Sequence, residues 1–272
     1  MTRTDIMNEL AIKGMKTEKT TVVKNGVSLK GIIVRGKRNM DIAPVIYTDE
    51  LIREAEAYGD DVEQVVRWIM NVVEKEDRKQ KKFSIDNLNN RNFVLEHLMV
   101  GAQRTSEQDL VKKDSGFDGI ELYLYIRVQI DNESCGSLSN VREILKALGI
   151  SEEEAWEQAK KNIHSQIIIK SIPNILGLDE MVEGMPTLYV LTIKGQLKGA
   201  GAIIDKEVLR QFAKLKHTRC LGIFPSSVHE FLLMPDADEF SIEELSEVVS
   251  MVNEEIVLPE DRLSDRAYKI RF

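Results

Sequence analysis

The sequence has few of the residues that build metal sites. Two cysteines, Cys135 and Cys220, and four histidines are scattered along 272 residues. Zinc sites draw on clustered Cys and His ligands, so no metal site is predicted. Because the two cysteines lie far apart and form no CxxC pair, the sequence predicts a cytoplasmic protein with reduced thiols.

Long apolar runs are also missing. No stretch approaches the roughly 18 consecutive apolar residues that span a bilayer. The N-terminal segment carries Arg3, Asp5 and Glu9 where a signal peptide has an apolar core. We therefore expect no membrane partner.

Motifs that hold nucleotides or activate a nucleophile are absent from the sequence. There is no nucleophile elbow, no HExxH motif and no EF-hand loop. Gly195, Gly199 and Gly201 lie between two apolar stretches and open no helix, so a tight turn is favoured over a phosphate-binding loop. No cofactor is predicted.

The charge is acidic and unevenly distributed. The chain has 37 Lys and Arg against 45 Asp and Glu, a net charge of −8. This balance argues against nucleic acid as the main partner. Residues 230–272 hold 4 basic against 12 acidic side chains, which alone gives −8. We expect a partner of this segment to be basic, and its binding to weaken with salt.

The order of elements predicts an α+β fold with mostly antiparallel sheets, hairpins and packed helices. Asn25-Gly26 is a type I′ hairpin signal between two strands. Residues 120–128 are almost continuously apolar, which is typical of a strand covered on both faces. Residues 188–193 and 198–204 are interpreted as a second hairpin around Gly195.

Helix starts are marked by residues that can cap the backbone. Ser151 with Glu154 and Ser241 with Glu244 form capping-box patterns. Asp60 with Glu63 resembles a third, and Asp205 is a further candidate cap. The helix after Ser151 is predicted to bury four residues on one face: Ala155, Trp156, Ala159 and Ile163.

A short polar stretch is the candidate catalytic site. It contains Ser226, Ser227, His229 and Glu230, beside Pro225. In an extended chain Ser227 and His229 share a face, so the imidazole could activate a hydroxyl. However, such residues stand about 7 Å apart, too far for a direct bond. A serine in a proline turn also commonly bonds local backbone, which is the favoured interpretation.

Two basic stretches form the best nucleic-acid candidate in the sequence. No aromatic residues interleave with the second stretch, so a solvated helix end is the favoured interpretation. The residues are Arg35, Lys37, Arg38, Arg78, Lys79, Lys81 and Lys82.

Several motifs together resemble an uncharacterised family of clostridial Firmicutes, the domain of unknown function DUF5688. They are NGV at 25–27, IAPVIY at 42–47, GISEEE at 149–154, LYVLT at 188–192, FPSSVHE at 224–230 and LPEDRLSDRAY at 258–268. The resemblance implies one family unit over residues 1–272, although a sub-division into 1–112 and 119–272 stays open. It transfers no activity.

The resemblance singles out two polar stretches, 226–230 and 258–268. Polar loop segments are better functional candidates than core positions. In the second stretch Arg262, Asp265, Arg266 and Tyr268 are candidate binding residues.

Three functions remain open from the sequence. The leading hypothesis is a non-enzymatic protein that binds another protein or a small ligand. The second is a hydrolase or transferase using Ser226 or Ser227 with His229. The third is a nucleic-acid-associated or host-system-inhibiting protein of a mobile element.

Overall fold

The structure, a computed structural model, describes residues 1–35, 43–78, 83–130, 135–177 and 186–272, and only the backbone of 76–78. Two compact units divide the chain, one built from Met1–Ile85 and the other from Asp86–Gln129 with Cys135–Phe272. Both combine helices with antiparallel strands, which confirms the α+β prediction.

The first unit contains a three-stranded sheet and three helices. In chain order its elements are α1 Arg3–Ile12, β1 Lys16–Lys24, β2 Val27–Arg35, β3 Val45–Tyr47, α2 Thr48–Tyr58 and α3 Val62–Arg78. Asn25 and Gly26 both have positive φ, 48° and 80°, which confirms the predicted hairpin. Ile6, Leu10 and Ile69 are fully buried and bring α1 and α3 into this unit's core.

The cap of α3 lies one residue later than predicted. Gln64 N donates to Asp61 Oδ1 and Asp61 N donates to Gln64 Oε1, both at 2.8 Å. The predicted pair Asp60 and Glu63 is therefore wrong by one position. Asp60 N donates instead to Ala55 O, because Gly59 ends α2 in the left-handed region and the chain turns there.

The second unit contains two antiparallel sheets and six α-helices among its described residues. In chain order its elements are α4 Arg91–His97, β4 Leu98–Arg104, β5 Lys112–Phe117, β6 Ile120–Gln129, β7 Cys135–Leu138, α5 Arg142–Ala147, α6 Glu152–His164, β8 Ile167–Ser171, α7 Ile172–Ile175, β9 Tyr189–Ile193, α8 Lys206–Leu215, β10 Cys220–Ser227, β11 Glu230–Pro235, α9 Ile242–Glu255 and β12 Tyr268–Arg271. No helix in these described ranges has both the length and the apolar character that crossing a membrane requires.

Strand β6 is the centre of the smaller sheet in this unit. It pairs with β4, β5 and β7, and its side chains are buried on both faces, as its apolar sequence predicted. The larger sheet has the order β12-β10-β11-β9-β8. Residues 112–119, where a sub-division was considered, form β5 and its turn into β6.

Helix α6 follows the sequence pattern closely. Ser151 Oγ accepts a hydrogen bond from Glu154 N at 3.1 Å, which satisfies one of the free amides of the first turn. The predicted stripe is buried along its whole length: Ala155, Trp156, Ala159 and Ile163. The Ser241–Glu244 capping box of α9 is also present.

The predicted strand at 198–204 is instead a 3-10 helix, Gly199–Ile204. β9 ends at Ile193, and Lys198 enters the 3-10 helix in the left-handed region with φ of 54°, which a strand does not allow. The 3-10 helix then packs closely against β4 and against the turn at His229. A Cβ on Gly201 would lie 1.8 Å from Val100 O, and one on Gly199 would lie 2.5 Å from His229 O. These glycines serve close backbone approach, which apolar periodicity does not reveal.

We predict that Gly201→Ala lowers the free energy of unfolding by at least about 3 kcal/mol, because backbone atoms must move to admit the methyl group. The matched control is Gly177→Ala, where φ is +68° and the space is open. It should cost only about 1 kcal/mol. Urea unfolding of both variants tests this. Equal losses would contradict the close-approach explanation.

The ends of α6 and α8 are joined by a carboxylate. Asp205 caps α8 as predicted, since its Oδ1 accepts from Val208 N at 3.2 Å. Its Oδ2 lies 2.6 Å from His164 Nδ1. Burial by itself raises the pKa of Asp205, but the hydrogen bonds from His164 and Val208 outweigh it and leave the pKa below its usual value.

The lowered pKa of Asp205 implies stability that is present above the unfolded-state pKa and is lost as pH falls through the folded pKa. Asp205→Asn keeps a capping side chain but removes the charge. We therefore expect the free energy of unfolding to fall by about 1 kcal/mol at neutral pH and to depend less steeply on pH in acid. Urea unfolding across a pH series measures both. The control Asp109→Asn alters only a surface pair with Arg142 and should change little.

Candidate functional site

The candidate catalytic residues lie at the turn between β10 and β11. Ser227 pairs with Glu230, so Val228 and His229 form a two-residue turn. Ser227 Oγ accepts a hydrogen bond from His229 N at 3.1 Å. The hydroxyl thus supports the turn backbone, which is the structural role expected of a serine after proline.

The turn is tied to three distant segments by hydrogen bonds to its main chain. Val228 N donates to Asp261 O at 2.8 Å, and Val228 O accepts from Ala200 N at 3.3 Å. His229 O accepts from Thr192 Oγ1 at 2.8 Å. The two polar stretches that the sequence singled out, 226–230 and 258–268, therefore meet here.

The imidazole of His229 faces the loop before the 3-10 helix. Its Nδ1 lies 3.2 Å from both Lys198 N and Gln196 O. Its Nε2 lies 3.8 Å from Asp261 Oδ1. When Lys198 N–H donates to Nδ1, the ring proton of the neutral form sits on Nε2, towards Asp261. The His229 side chain is 41% exposed and that of Asp261 is 30% exposed, so solvent reaches the pair.

This arrangement lacks the nucleophile that the second hypothesis needs. No hydrogen bond joins the His229 ring to Ser226 or Ser227 among the described residues. Glu230 begins β11 opposite Ser227 and does not orient the ring. The acidic group beside the imidazole is Asp261, which the sequence argument did not name. An imidazole beside a carboxylate is a general acid–base arrangement, but in the described part of the chain no hydroxyl is hydrogen-bonded to this ring.

Lys198 connects this loop to the interior of the smaller sheet. Its Nζ lies 2.6 Å from Tyr123 Oη and 3.4 Å from Ser139 Oγ, and 5.4 Å from the centroid of the Tyr125 ring. Tyr125 Oη donates to Leu197 O at 3.1 Å. Burial raises the pKa of both phenols, so both stay protonated. The cluster is a polar anchor for the loop.

Sequence reasoning missed the Lys198 anchor because it interpreted 198–204 as a strand. One signal was available. Tyr123 and Tyr125 lie two residues apart in an otherwise aliphatic strand, so their hydroxyls share one face and need polar partners when buried. The identity of the partner could not be deduced, because Lys198 follows more than seventy residues later.

The four candidate binding residues of the C-terminal segment have partners within the second unit. Arg262 Nε donates to Val257 O, and Asp265 Oδ1 accepts from Asn253 Nδ2. Arg266 pairs with the Asp118 carboxylate at 2.8 Å, and Tyr268 Oη donates to Asp118 O. Their partners fix the segment to α9 and to the β5–β6 turn. Tyr268 also lines a cleft.

The candidate nucleic-acid residues are mostly outside the described part of the chain. Lys37, Arg38, Lys79, Lys81 and Lys82 lie outside the described residues, and the side chain of Arg78 is not described. Arg35 ends β2 and is exposed. A groove of the first unit is lined by Glu50, Glu54 and Asp60, whose charge repels phosphate.

Within the described ranges no three His, Cys, Asp or Glu side chains lie close enough together to hold a metal ion. Cys135 is partly exposed, and Cys220 is buried with a pKa raised chiefly by that burial.

Comparison with known proteins gives a family whose function is unknown. The model of a "Family of unknown function (DUF5688)" matches residues 2–271. No curated protein matches, and no solved structure matches.

We predict that Ser227→Ala lowers the free energy of unfolding by about 1 kcal/mol, because His229 N loses its acceptor. Ser226→Ala should be nearly neutral, since the Ser226 hydroxyl has no hydrogen bond within the described part of the protein. Thermal and urea unfolding compare the two adjacent variants. A larger loss for Ser226→Ala would contradict the structural role of Ser227.

Proposed function

The chain belongs to the family of unknown function DUF5688, and from its own surface we propose that it is a non-enzymatic protein that binds a basic partner protein through helix α9. The observation that carries this proposal is a group of exposed apolar side chains set among carboxylates at the end of that helix. We call it the α9 surface: Val248, Met251, Ile256 and Leu258 with Glu247, Glu254 and Glu255.

The apolar side chains of the α9 surface are unusually accessible. Val248, Met251, Ile256 and Leu258 are 46%, 54%, 76% and 51% exposed. The helix buries Leu245, Val249 and Asn253 along one side, so α9 already has an internal face. Val248 and Met251 are three residues apart and therefore lie on one outer face. Clustered exposed apolar residues with a polar rim are typical of protein-binding surfaces.

The carboxylates of the α9 surface are unfavourable in the isolated protein. Glu254 and Glu255 lie in the last turn of α9, where the helix dipole is negative, and that turn contains no basic residue. No ion pair joins Glu247, Glu254 or Glu255 to another described residue. A cationic partner would relieve this repulsion, which is the electrostatic complement that the acidic segment requires.

The enzymatic alternative has less support. The His229 ring is bonded to the main chain of the 196–198 loop, and Ser227 accepts a bond from its own turn. A hydrolase would need a serine oxygen within reach of that ring. The absence of such a pair in the described residues leaves a binding role as the better account of the surface.

The test uses a designed amphipathic helix of Lys and Leu as the probe, with a scrambled isomer of equal charge. We expect the amphipathic form to bind the full chain more tightly, and binding to weaken as salt rises. Glu254→Gln with Glu255→Gln should weaken it by about two- to thirtyfold, since two exposed pairs at about 0.2–1 kcal/mol each sum to about 0.4–2 kcal/mol. Met251→Ser should have a similar effect through lost apolar contact. Fluorescence titration measures these affinities.

Stability provides a second readout, because binding and folding should respond in opposite directions. Glu254→Gln with Glu255→Gln should raise the free energy of unfolding by about 0.3–1 kcal/mol per residue and should lower the affinity for the probe helix. Glu153→Gln in the first turn of α6 is the matched control, where a carboxylate suits the dipole. It should slightly lower stability and leave binding unchanged. Equal binding of the scrambled probe, or no effect of the α9 variants, would overturn the proposal.

A further inference from the structure

One edge of the larger sheet in the second unit has little protection against pairing. The strand order β12-β10-β11-β9-β8 makes β12 and β8 its two edges. Charged side chains, proline or bulges commonly keep edge strands from pairing with other chains. β12 carries Lys269 and Arg271 within four residues, whereas β8 has the sequence Ile-Ile-Ile-Lys-Ser and an unbroken register with β9. We call this strand, Ile167–Ser171, the β8 edge.

The hydrogen bonds of β8 show which of its backbone groups face outward. Gln166 O accepts from Lys194 N at 2.9 Å, so the even-numbered residues of this stretch bond to β9. In an antiparallel pair the residues between them turn their amide and carbonyl groups the other way. The amides and carbonyls of Ile167 and Ile169 therefore point away from β9. No hydrogen bond joins these groups to another described residue.

A groove of about 430 Å³ lies between the β8 edge and helix α8. Its helix wall contains Val208 and Leu215, which lie two turns apart on one face of α8. Leu215 is 72% exposed, and Ile169 on the strand wall is partly exposed. Tyr189 and Phe212 are nearly buried and close the floor. The groove therefore offers an apolar wall beside the outward backbone groups of β8.

The charges beside the groove are positive. Lys170 and Lys216 line it, and none of its described lining residues is acidic. The Lys170 side chain lies on the opposite face of β8 from Ile169, since side chains alternate along a strand. It is exposed and forms no ion pair with another described residue. A strand added beside β8 would meet an apolar wall on one face and this lysine on the other.

We propose that the β8 edge binds an extended segment of a partner protein, which adds to the larger sheet as a further strand. The amides and carbonyls of Ile167 and Ile169 hydrogen-bond to the main chain of that segment. Apolar residues at every second position pack on Ile169, Val208 and Leu215, and an acidic residue between them pairs with Lys170. This site is separate from the α9 surface and takes a partner of the opposite charge.

A second copy of this chain fits the β8 edge less well than an acidic segment does. Two β8 strands paired with each other would bring two copies of Lys170 to one strand pair. Like charges on neighbouring strands destabilise the pair, whereas an acidic residue stabilises it.

The test titrates the full chain with a capped peptide of about six residues in which Val alternates with Glu, the length of an ordinary strand. A second peptide has Lys in place of Glu. We expect the Val–Glu peptide to bind at least about tenfold more tightly than the Val–Lys peptide, because the charge beside the groove is positive. Fluorescence anisotropy of the labelled peptides measures both affinities.

Backbone methylation distinguishes strand addition from adsorption to the groove. Methyl groups on alternate peptide nitrogens block one set of amides at a time. The set that faces β8 should lose at least about tenfold in affinity, and the other set should lose little. Methylation of the Val nitrogens blocks antiparallel addition and methylation of the Glu nitrogens blocks parallel addition, so the result also gives the orientation.

Hydrogen exchange followed by NMR gives the matching measurement on the protein. In the bound state the amides of Ile167 and Ile169 should exchange at least about tenfold more slowly, because they gain acceptors. The amides of Ile168 and Lys170 already bond to β9 and should change little. This alternation is the signature of strand addition.

Variants test the two faces separately. Lys170→Glu should weaken the Val–Glu peptide by about fivefold or more and should strengthen the Val–Lys peptide. Its matched control is Lys19→Glu, an exposed lysine on β1, which is an edge strand of the first unit's sheet. Leu215→Ser should weaken the Val–Glu peptide by about fivefold through lost apolar contact. Its control is Ile12→Ser, which is 75% exposed at the end of α1. Unfolding curves should show all four variants folded.

Several outcomes would overturn the proposal. They are no binding of the Val–Glu peptide, equal binding of the two peptides, equal effects of the two methylation patterns, or unchanged exchange at Ile167 and Ile169. If these amides become protected without peptide as the protein concentration rises, the edge pairs with a second copy and the proposal is wrong. Glu254→Gln with Glu255→Gln should not change the affinity for the Val–Glu peptide, so this proposal and the proposed function can fail independently.

Discussion

The two-residue turn Val228–His229 is the constraint on which the polar side of the second unit depends. Its main chain accepts hydrogen bonds from Thr192 and Ala200 and donates one to Asp261. These three residues belong to separate segments of the chain. Turns are usually exposed and tolerant of change. This turn is instead fixed by hydrogen bonds of Val228 and His229 to other segments, and the Ser227 hydroxyl accepts a further bond from His229 N. Ser227, Val228 and His229 therefore have an architectural role, and the His229 side chain is partly exposed beside the turn.

A second organising feature is the separation of charge within residues 230–272, the acidic segment of the chain. Its exposed carboxylates gather on α9 and at the negative end of that helix. Its cations Lys269 and Arg271 lie instead on β12, where Lys269 donates to Phe240 O and Arg271 pairs with Asp238. Net charge describes the segment as uniformly acidic, whereas the fold places its carboxylates on a helix and two of its cations on a strand.

The sequence predicted local structure best where one short pattern decides it. The Asn25-Gly26 turn, the Ser151 cap and the buried stripe of α6 follow from rules that act over a few residues. Predictions of local structure were wrong where two patterns compete in one stretch of sequence. Asp60 and Asp61 are both able to cap α3, and the geometry after Gly59 selects Asp61. Residues 198–204 are apolar enough for a strand, but Gly199 and Gly201 allow a 3-10 helix to approach Val100 and His229 closely.

The sequence by itself determined the α+β class, the caps of α6, α8 and α9, the family resemblance and the acidic excess of residues 230–272. These depend on composition and on neighbours within one or two turns. Only the tertiary structure decided that His229 faces Asp261, that Lys198 reaches Tyr123 and Ser139, and that Lys206 lies over the Phe117 ring. The physical reason is that these groups come from distant segments, and only the packing of those segments brings their polar atoms together.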